Sequence, residues 1–156
     1  MSMQLRSLTG STVVPWVFRV IALLPGHRVN YAMEIRVERG LLEEMLAFAK
    51  GCHPQEAILL LRGEAKKEAI TLSDYLFPPY ARTNSVSASY PIYMLPIDFS
   101  IMGTFHSHPS GSVEASAVDM TNMYGRFSMI TAHPYGLGDV AAYNKQGERI
   151  MIRVTD

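Results

Sequence analysis

The order of hydrophobic and polar residues predicts a strand and then a helix near the start of the main part of the chain. Residues 33–38 alternate between apolar and charged side chains, which is typical of a strand with one buried face. Apolar residues then recur at helical spacing from Leu41 to Cys52, opposite two glutamates. This pattern predicts an amphipathic helix that ends near Gly51, since Pro54 prevents its continuation.

The rest of the chain is dominated by predicted strands. The continuous apolar run 57–61 indicates a strand buried on both faces, and the charged segment 63–68 is predicted to be a hairpin loop. One further helix is predicted at about 116–124. The predicted strands are 13–21, 33–38, 56–61, 69–76, 92–95, 101–105, 126–132, 139–143 and 149–154.

Length and composition favour one globular domain. The chain has 156 residues, of which 48% are hydrophobic and 18% charged, and its formal net charge is zero. Zero net charge argues against the large positive surface expected of a nucleic-acid-binding protein. The single cysteine, Cys52, excludes an internal disulfide and a cysteine-based zinc cluster, and it fits a cytoplasmic protein. Cys52 is interpreted as a core residue rather than a nucleophile.

Residues 1–32 are predicted to form an N-terminal extension that adds one strand to a domain of residues 33–156. The strand segment 13–21 carries the only Trp, which would be costly to leave in water. An alternative is that this segment is an edge for a partner or a second copy. Pro15 and Arg19 interrupt the apolar stretch, so neither an export signal nor a membrane span is predicted.

Two histidines and an aspartate give the clearest chemical signal in the sequence. His106 and His108 are two residues apart, so on an extended strand both imidazoles point to the same side. A helix can begin at Ser116, which places Asp119 one turn into it. Two imidazole nitrogens and one carboxylate oxygen are a common set for catalytic zinc, with the fourth position left for water. The sequence therefore predicts one Zn²⁺ per chain.

Each part of this pattern also has a structural explanation. Ser116 and Asp119 have the spacing of a helix capping box, and histidines are common on surfaces. Their combination with Pro109 favours a metal site, and a capping serine can still present its hydroxyl there. The nearby His53 and His133 are interpreted as non-ligands, because three protein ligands and water already complete the zinc set.

The run from Gly103 to Pro109, followed by Ser116-x-x-Asp119, resembles the motif HxHP-x6-SxxD of the JAMM (MPN+) zinc metalloproteases. The resemblance covers about residue 33 onward and is nearest to short archaeal members related to the deubiquitinating subunit of the proteasome lid. It implies an α/β fold, a single MPN domain of the JAB1/MPN, cytidine-deaminase-like type. Its sheet would be mixed, mostly antiparallel and flanked by helices.

The resemblance also implies a mechanism of metal-assisted amide hydrolysis. The family requires an upstream glutamate, and Glu56 matches it as the general base that deprotonates the zinc-bound water. Ser116 would donate a hydrogen bond to the carbonyl oxygen as negative charge develops there. Ser107, between the two histidines, is expected to point to the opposite side of the strand.

The substrates implied by the resemblance are ubiquitin or ubiquitin-like conjugates, whose C-terminal Gly-Gly is joined to lysine, with a possible link to the proteasome. Residues 96–100 leave room only for a turn where larger relatives carry a helix. The segment 78–96 is therefore expected to face the substrate, with Val86, Ala88 and Tyr90 along an added strand of substrate.

Two alternatives stay open at this point. One is a JAMM amide hydrolase that releases a peptide tail from a sulfur carrier. The other is a metal-free MPN scaffold, which the complete set of motif residues disfavours. The natural modifier, its linkage, the oligomeric state and the need for a partner complex are left open by the sequence.

Overall fold

The structure is a computed structural model, and it describes residues 33–79, 81–85, 88–95 and 97–156. The predicted N-terminal extension, with its strand at 13–21, lies outside these residues. Among the residues described, no helix combines the length and hydrophobicity that crossing a membrane requires.

The described chain forms a mixed sheet with one long helix and one short helix. The elements are β1 (Glu34–Glu38), α1 (Arg39–Cys52), β2 (Ile58–Lys66), β3 (Ala69–Leu76), β4 (Arg82–Thr83), β5 (Ala88–Ser89), a 3-10 helix (Ile92–Met94), β6 (Ile101–His108), α2 (Ala117–Thr121), β7 (Phe127–Ala132), β8 (Val140–Asn144) and β9 (Arg149–Thr155).

Seven strands form a sheet that closes on itself. Their order is β1-β3-β2-β6-β7-β8-β9, and β1 also pairs with β9. The pairings β1–β3, β1–β9 and β6–β7 are parallel, whereas β2–β3, β2–β6, β7–β8 and β8–β9 are antiparallel. The predicted fold class, a mixed and mostly antiparallel sheet with helices, is confirmed. Among the described residues, the short strands β4 and β5 form a separate two-stranded sheet.

Helix α1 covers one face of the sheet. Its buried side chains are Leu42, Met45, Leu46 and Ala49. They pack with apolar residues of the sheet in one hydrophobic core. The helix is where the apolar pattern predicts it, although Leu42 and Leu46 are more buried than the first residue of the predicted face, Leu41. Burial at the edge of this core raises the pKa of the Cys52 thiol, as expected for a packing residue.

The predicted loop at 63–68 is wrong for most of its length. Strand β2 continues to Lys66, and only Lys67 and Glu68 form the turn to β3. The pairing with β3 shifts register between Arg62 and Gly63. A Cβ atom at position 63 would lie 2.3 Å from the carbonyl oxygen of Thr71. The glycine therefore allows a close backbone approach at an irregular pair rather than starting a loop.

Two other predicted elements differ from the structure. Residues 92–95 were predicted as a strand, but Ile92–Met94 form a 3-10 helix. The Met94 N–H donates to the Pro91 carbonyl at 2.9 Å, so a local bond replaces a ladder bond. The second helix is also shorter than 116–124, because α2 ends at Thr121 and is capped by Asn122.

Candidate metal centre

Strand β6 presents both histidines on the sheet face opposite α1. The strand extends to His108, further than predicted, and pairs with β2 on one side and β7 on the other. Ser107 lies between the histidines and is fully buried on the other face. Its hydroxyl accepts a hydrogen bond from the Ala57 N–H at 2.8 Å, so the expectation for this residue is confirmed. Side-chain alternation along β6 thus aims His106 and His108 into the same space.

The start of α2 brings a carboxylate to these imidazoles. The Asp119 N–H donates to Ser116 Oγ at 3.2 Å, and the Ser116 N–H donates to Asp119 Oδ2 at 2.6 Å, which completes a capping box. Asp119 Oδ1 lies 3.1 Å from Nε2 of His106, and its Oδ2 lies 3.4 Å from Nε2 of His108. The hydrogen bonds that cap α2 therefore also fix the orientation of the Asp119 carboxylate.

These three side chains fit a tetrahedral metal ion. Their ligand atoms all lie within 4.8 Å of one another. Two donors bonded to the same zinc at about 2.0–2.1 Å lie about 3.3–3.4 Å apart, close to both spacings given above. Nε2 of His106 is buried, and in the described part of the chain it has no hydrogen-bond partner of suitable geometry. A metal ion bound to Nε2 would give this buried nitrogen the partner that buried polar atoms normally have.

The charges of the site favour a bound cation. Burial by itself would raise the pKa of Asp119, but interactions with His106 and His108 outweigh burial and hold this pKa well below its usual range. The same carboxylate raises the pKa of His108, against the opposing effect of burial. A metal ion would have to displace the proton that Asp119 and His108 share. The affinity of the site for metal should therefore fall in acid.

Glu56 reaches the same cavity from the segment just before β2. Ile58 is paired with His106, so Glu56, two residues earlier, is on the same face as the two histidines. Glu56 is only 8% exposed, and its N–H donates to the Asn84 carbonyl at 2.8 Å. Its negative charge contributes to the raised pKa of His108. A cavity of ≈ 470 Å³ is lined by Glu56, His106, His108, Ser116 and Asp119, among others.

Of the three residues predicted to contact substrate, the structure describes Ala88 and Tyr90. Val86 lies outside the described residues. Ala88 belongs to β5 and pairs with Thr83 of β4, so one edge of its main chain is already occupied. Tyr90 lines the cavity beside the candidate ligands. Its hydroxyl is buried and makes no hydrogen bond within the described residues, and burial raises the pKa of Tyr90 well above its usual value.

Sequence reasoning missed the residues that hold the far sides of the imidazoles. Nδ1 of His108 is 2.8 Å from the Ser112 carbonyl oxygen, and Nδ1 of His106 is 3.3 Å from Ser128 Oγ. Ser128 is separated from His106 by 22 positions, so no local spacing relates them. The signal in the sequence that could have identified Ser128 is a serine within the otherwise apolar predicted strand 126–132.

The histidines interpreted as non-ligands form a separate group. His53 Nδ1 lies 2.9 Å from the Tyr135 hydroxyl, and the rings of His53 and His133 are 5.3 Å apart. The metal-ligating group formed by the described residues includes neither of them. Their rings contact each other and Tyr135, a residue of the core that packs on α1, while the His133 N–H donates to the His108 carbonyl at 3.3 Å.

Comparison with known proteins agrees with this site. The sequence profile of a family described as prokaryotic homologs of the JAB domain matches residues 38–145. The matched span includes Glu56, both histidines and Asp119. A protein of Haloferax volcanii described as a "Probable metalloprotease" is 33% identical in an alignment of 103 residues that covers 62% of this chain. The match spans 64% of that protein's length.

Solved structures show the same fold. A structure described as "JAMM: A Metalloprotease-like Zinc Site in the Proteasome and Signalosome" is 30% identical, covers 80% of this chain and 99% of that chain, and has a TM-score of 0.56. A JAB1/MPN domain protein from Archaeoglobus fulgidus is 31% identical over 80% of this chain and 100% of its own, with a TM-score of 0.57. The resemblance found in the motif is confirmed, and the chain belongs to the JAMM-type metalloprotease family, among the prokaryotic homologs of the JAB domain.

Proposed function

We propose that the protein is a zinc-dependent isopeptidase. Its substrate would be the bond between the C-terminal Gly-Gly of ubiquitin, or a ubiquitin-like modifier, and a lysine amine. The observation that carries this proposal is the meeting of His106, His108 and Asp119 with the buried Glu56 in one cavity. The coarser conclusion, a metalloprotease-type hydrolase, rests on the family. The modifier, the isopeptide bond and a cytoplasmic location are part of the proposal.

Each residue of the cavity has a separate role in the proposed reaction. His106, His108 and Asp119 would hold the zinc, which when bound lowers the pKa of a coordinated water to about 7. Glu56 would accept a proton from the attacking water and pass it to the leaving amine. The Ser116 hydroxyl accepts its hydrogen bond from the Asp119 N–H, so its own O–H can donate to the carbonyl oxygen of the substrate.

The substrate tail would reach these residues along the segment that carries β4 and β5. Tyr90 lines the cavity and also a second groove, whose walls include Arg82 and Ser89 of the two strands. An extended Gly-Gly tail has main-chain groups but no side chains to bury, so it is best recognised by hydrogen bonds. The buried Tyr90 hydroxyl is one donor available for that purpose, because its raised pKa keeps it protonated.

The experiment that tests this function combines metal analysis with two matched substrates. We expect purified protein to contain about one zinc per chain, and His106→Ala to contain much less, since three protein ligands are the usual catalytic set. A ubiquitin-like protein joined through its Gly-Gly end to a lysine should be cleaved. The same modifier with a linear C-terminal peptide extension is the comparison substrate.

The outcomes separate the proposed enzyme from its alternatives. Faster cleavage of the lysine-linked conjugate supports the isopeptidase. Preferential removal of the linear extension would instead indicate a hydrolase that processes a precursor or sulfur-carrier tail. A protein that contains no zinc and cleaves neither substrate, with His106→Ala unchanged in stability, would indicate a scaffold.

A further inference from the structure

The imidazole of His106 is held from behind by a buried pair of hydroxyls. Ser128 of β7 lies beside Thr104 of β6 in the parallel ladder. The Thr104 hydroxyl donates to Ser128 Oγ at 3.2 Å, and Ser128 Oγ is 3.3 Å from Nδ1 of His106. Ser128 is 0%, Thr104 3% and His106 7% exposed. Polar groups this deeply buried have to find their hydrogen bonds within the protein.

The direction of these bonds can be worked out from what each atom can accept. A neutral imidazole carries its proton on one nitrogen only. Among the described residues, buried Nε2 of His106 has no hydrogen bond of good geometry, and Asp119 Oδ1 lies 3.1 Å from it. When a metal ion occupies Nε2, the ring proton has to be on Nδ1. On Nδ1 it can be donated to Ser128 Oγ, which still has a lone pair after accepting from Thr104.

We infer that Ser128 is a positioning residue of the metal centre: its hydroxyl holds His106 in the Nδ1–H tautomer and directs the Nε2 lone pair toward the metal. Thr104 orients the Ser128 hydroxyl for this role. The inference rests on the metal site of the proposed function. It concerns a residue that lies outside the ligand motif and does not touch the metal ion or the substrate.

The other candidate histidine shows why Ser128 is the informative position. Nδ1 of His108 faces the carbonyl oxygen of Ser112, which can only accept, so His108 also has to donate from Nδ1. Both imidazoles thus present the same nitrogen to the metal. The partner of His108 is main chain and cannot be removed by substitution, whereas the partner of His106 is a side chain.

The test is to remove the hydroxyl and measure zinc affinity and tautomer separately. Ser128→Ala should weaken zinc binding, measured by competition with a chelator, by about 10–100-fold, the usual effect of losing such a partner. Ser128→Thr keeps a hydroxyl and should recover most of the affinity. Thr131→Val is the matched control, because it removes a buried hydroxyl from the same strand whose bond goes to the Asp139 carbonyl.

The tautomer is read directly in the metal-free protein. Long-range ¹H–¹⁵N spectra at about pH 8, above the ordinary histidine pKa of about 6.5, should show the His106 proton on Nδ1. Ser128→Ala should lose this preference, and Thr131→Val should keep it.

Failure of this inference is distinguishable from failure of the proposed function. A wild-type protein that binds no zinc contradicts the proposed function, and the tautomer spectrum then decides the inference alone. A wild-type His106 protonated on Nε2 overturns it, even if Ser128→Ala does not fold. So does a Ser128→Ala protein whose zinc affinity equals that of wild type and Thr131→Val.

Discussion

Glu56 and Asp119 are carboxylates of the same cavity, yet their surroundings suit them to different tasks. Asp119 lies against the two imidazoles, and the balance of its interactions keeps its pKa low, as a ligand requires. Glu56 precedes β2 by two residues, and its main-chain N–H donates to the Asn84 carbonyl. When two carboxylates of one site lie in different environments, one commonly stays charged as a ligand or stabiliser and the other carries the proton.

Replacing Glu56, the proposed general base, should separate zinc binding from turnover. Glu56→Gln should keep the fold and bind zinc but lower turnover by about 10²–10⁴-fold, because an amide has nearly the same shape and cannot accept the proton. Glu114→Gln is the control, since Glu114 lines the same cavity but is exposed and paired with Arg149 at 2.7 Å. Near-normal turnover in Glu56→Gln, measured on an isopeptide-linked conjugate, would show that another group carries the proton.

A second residue-scale prediction concerns the Tyr90 hydroxyl. Tyr90→Phe should leave stability unchanged or slightly raised, because this buried hydroxyl makes no hydrogen bond within the described chain. It should raise KM for the conjugate by about 2–10-fold, the value of one hydrogen bond, with little change in kcat. Tyr75→Phe removes a hydroxyl from β3 and is the control. Equal kinetics in the two variants would place the substrate tail elsewhere.

At the scale of elements, β2 and β6 determine which side chains meet at the site. Their antiparallel pairing sets Glu56 on the face of the histidines, and a one-residue shift would turn it to the α1 face. The pairing of β2 with β3 contains the irregularity at Gly63, where the two backbones approach closely. This glycine helps to hold the strand that carries the proposed base.

Two glycine substitutions should therefore have opposite effects. Gly63→Ala should lower the free energy of unfolding by about 1–3 kcal/mol, since the new methyl group would press against the Thr71 carbonyl. Gly51→Ala, in the last turn of α1, meets no atom within 4 Å and should raise it by up to about 1 kcal/mol. Urea denaturation of both variants measures the difference. A Gly63→Ala protein as stable as wild type would contradict the close approach.

At the scale of the whole molecule, closure of the sheet depends on the parallel pair β1–β9. Five residue pairs join these strands, from Glu34↔Met151 to Glu38↔Thr155. Glu34 of β1 receives hydrogen bonds from Arg153 of β9 at 2.9 Å and from Arg36 at 2.6 Å. Both bonds lower the pKa of Glu34 below its ordinary value of 4.5, and the bond from Arg153 has the larger effect.

This shift predicts a pH-dependent contribution to stability. A pKa lowered by folding stabilises the protein above the unfolded value, and the contribution is lost as the pH falls through the lower, folded value. The arginines are half exposed, so Glu34→Gln should cost at most about 1 kcal/mol at pH 7. In chelator-treated samples, the difference in unfolding free energy from wild type should shrink as the pH falls below the ordinary value of 4.5. A constant difference would contradict the ion pair.

Features that depend on local spacing could be predicted from the residues alone. Alternation along β6 places two imidazoles on one side whatever surrounds the strand, and Ser116 and Asp119 form their capping box within one turn. The amphipathic pattern of α1 is local in the same sense. Glu56 was identified only through family resemblance, because nothing within its own segment relates it to His106.

Features that depend on which strands become neighbours could be seen only in the folded protein. The pairing of β6 with β7 puts Ser128 behind His106, and that of β2 with β6 brings Glu56 to the cavity. The same dependence explains the wrong predictions, since Gly63 became a close contact with β3, and residues 92–94 formed local bonds instead of joining a strand. Hydrogen bonds between strands join residues far apart in sequence, so their partners follow from packing of the whole core rather than from local spacing.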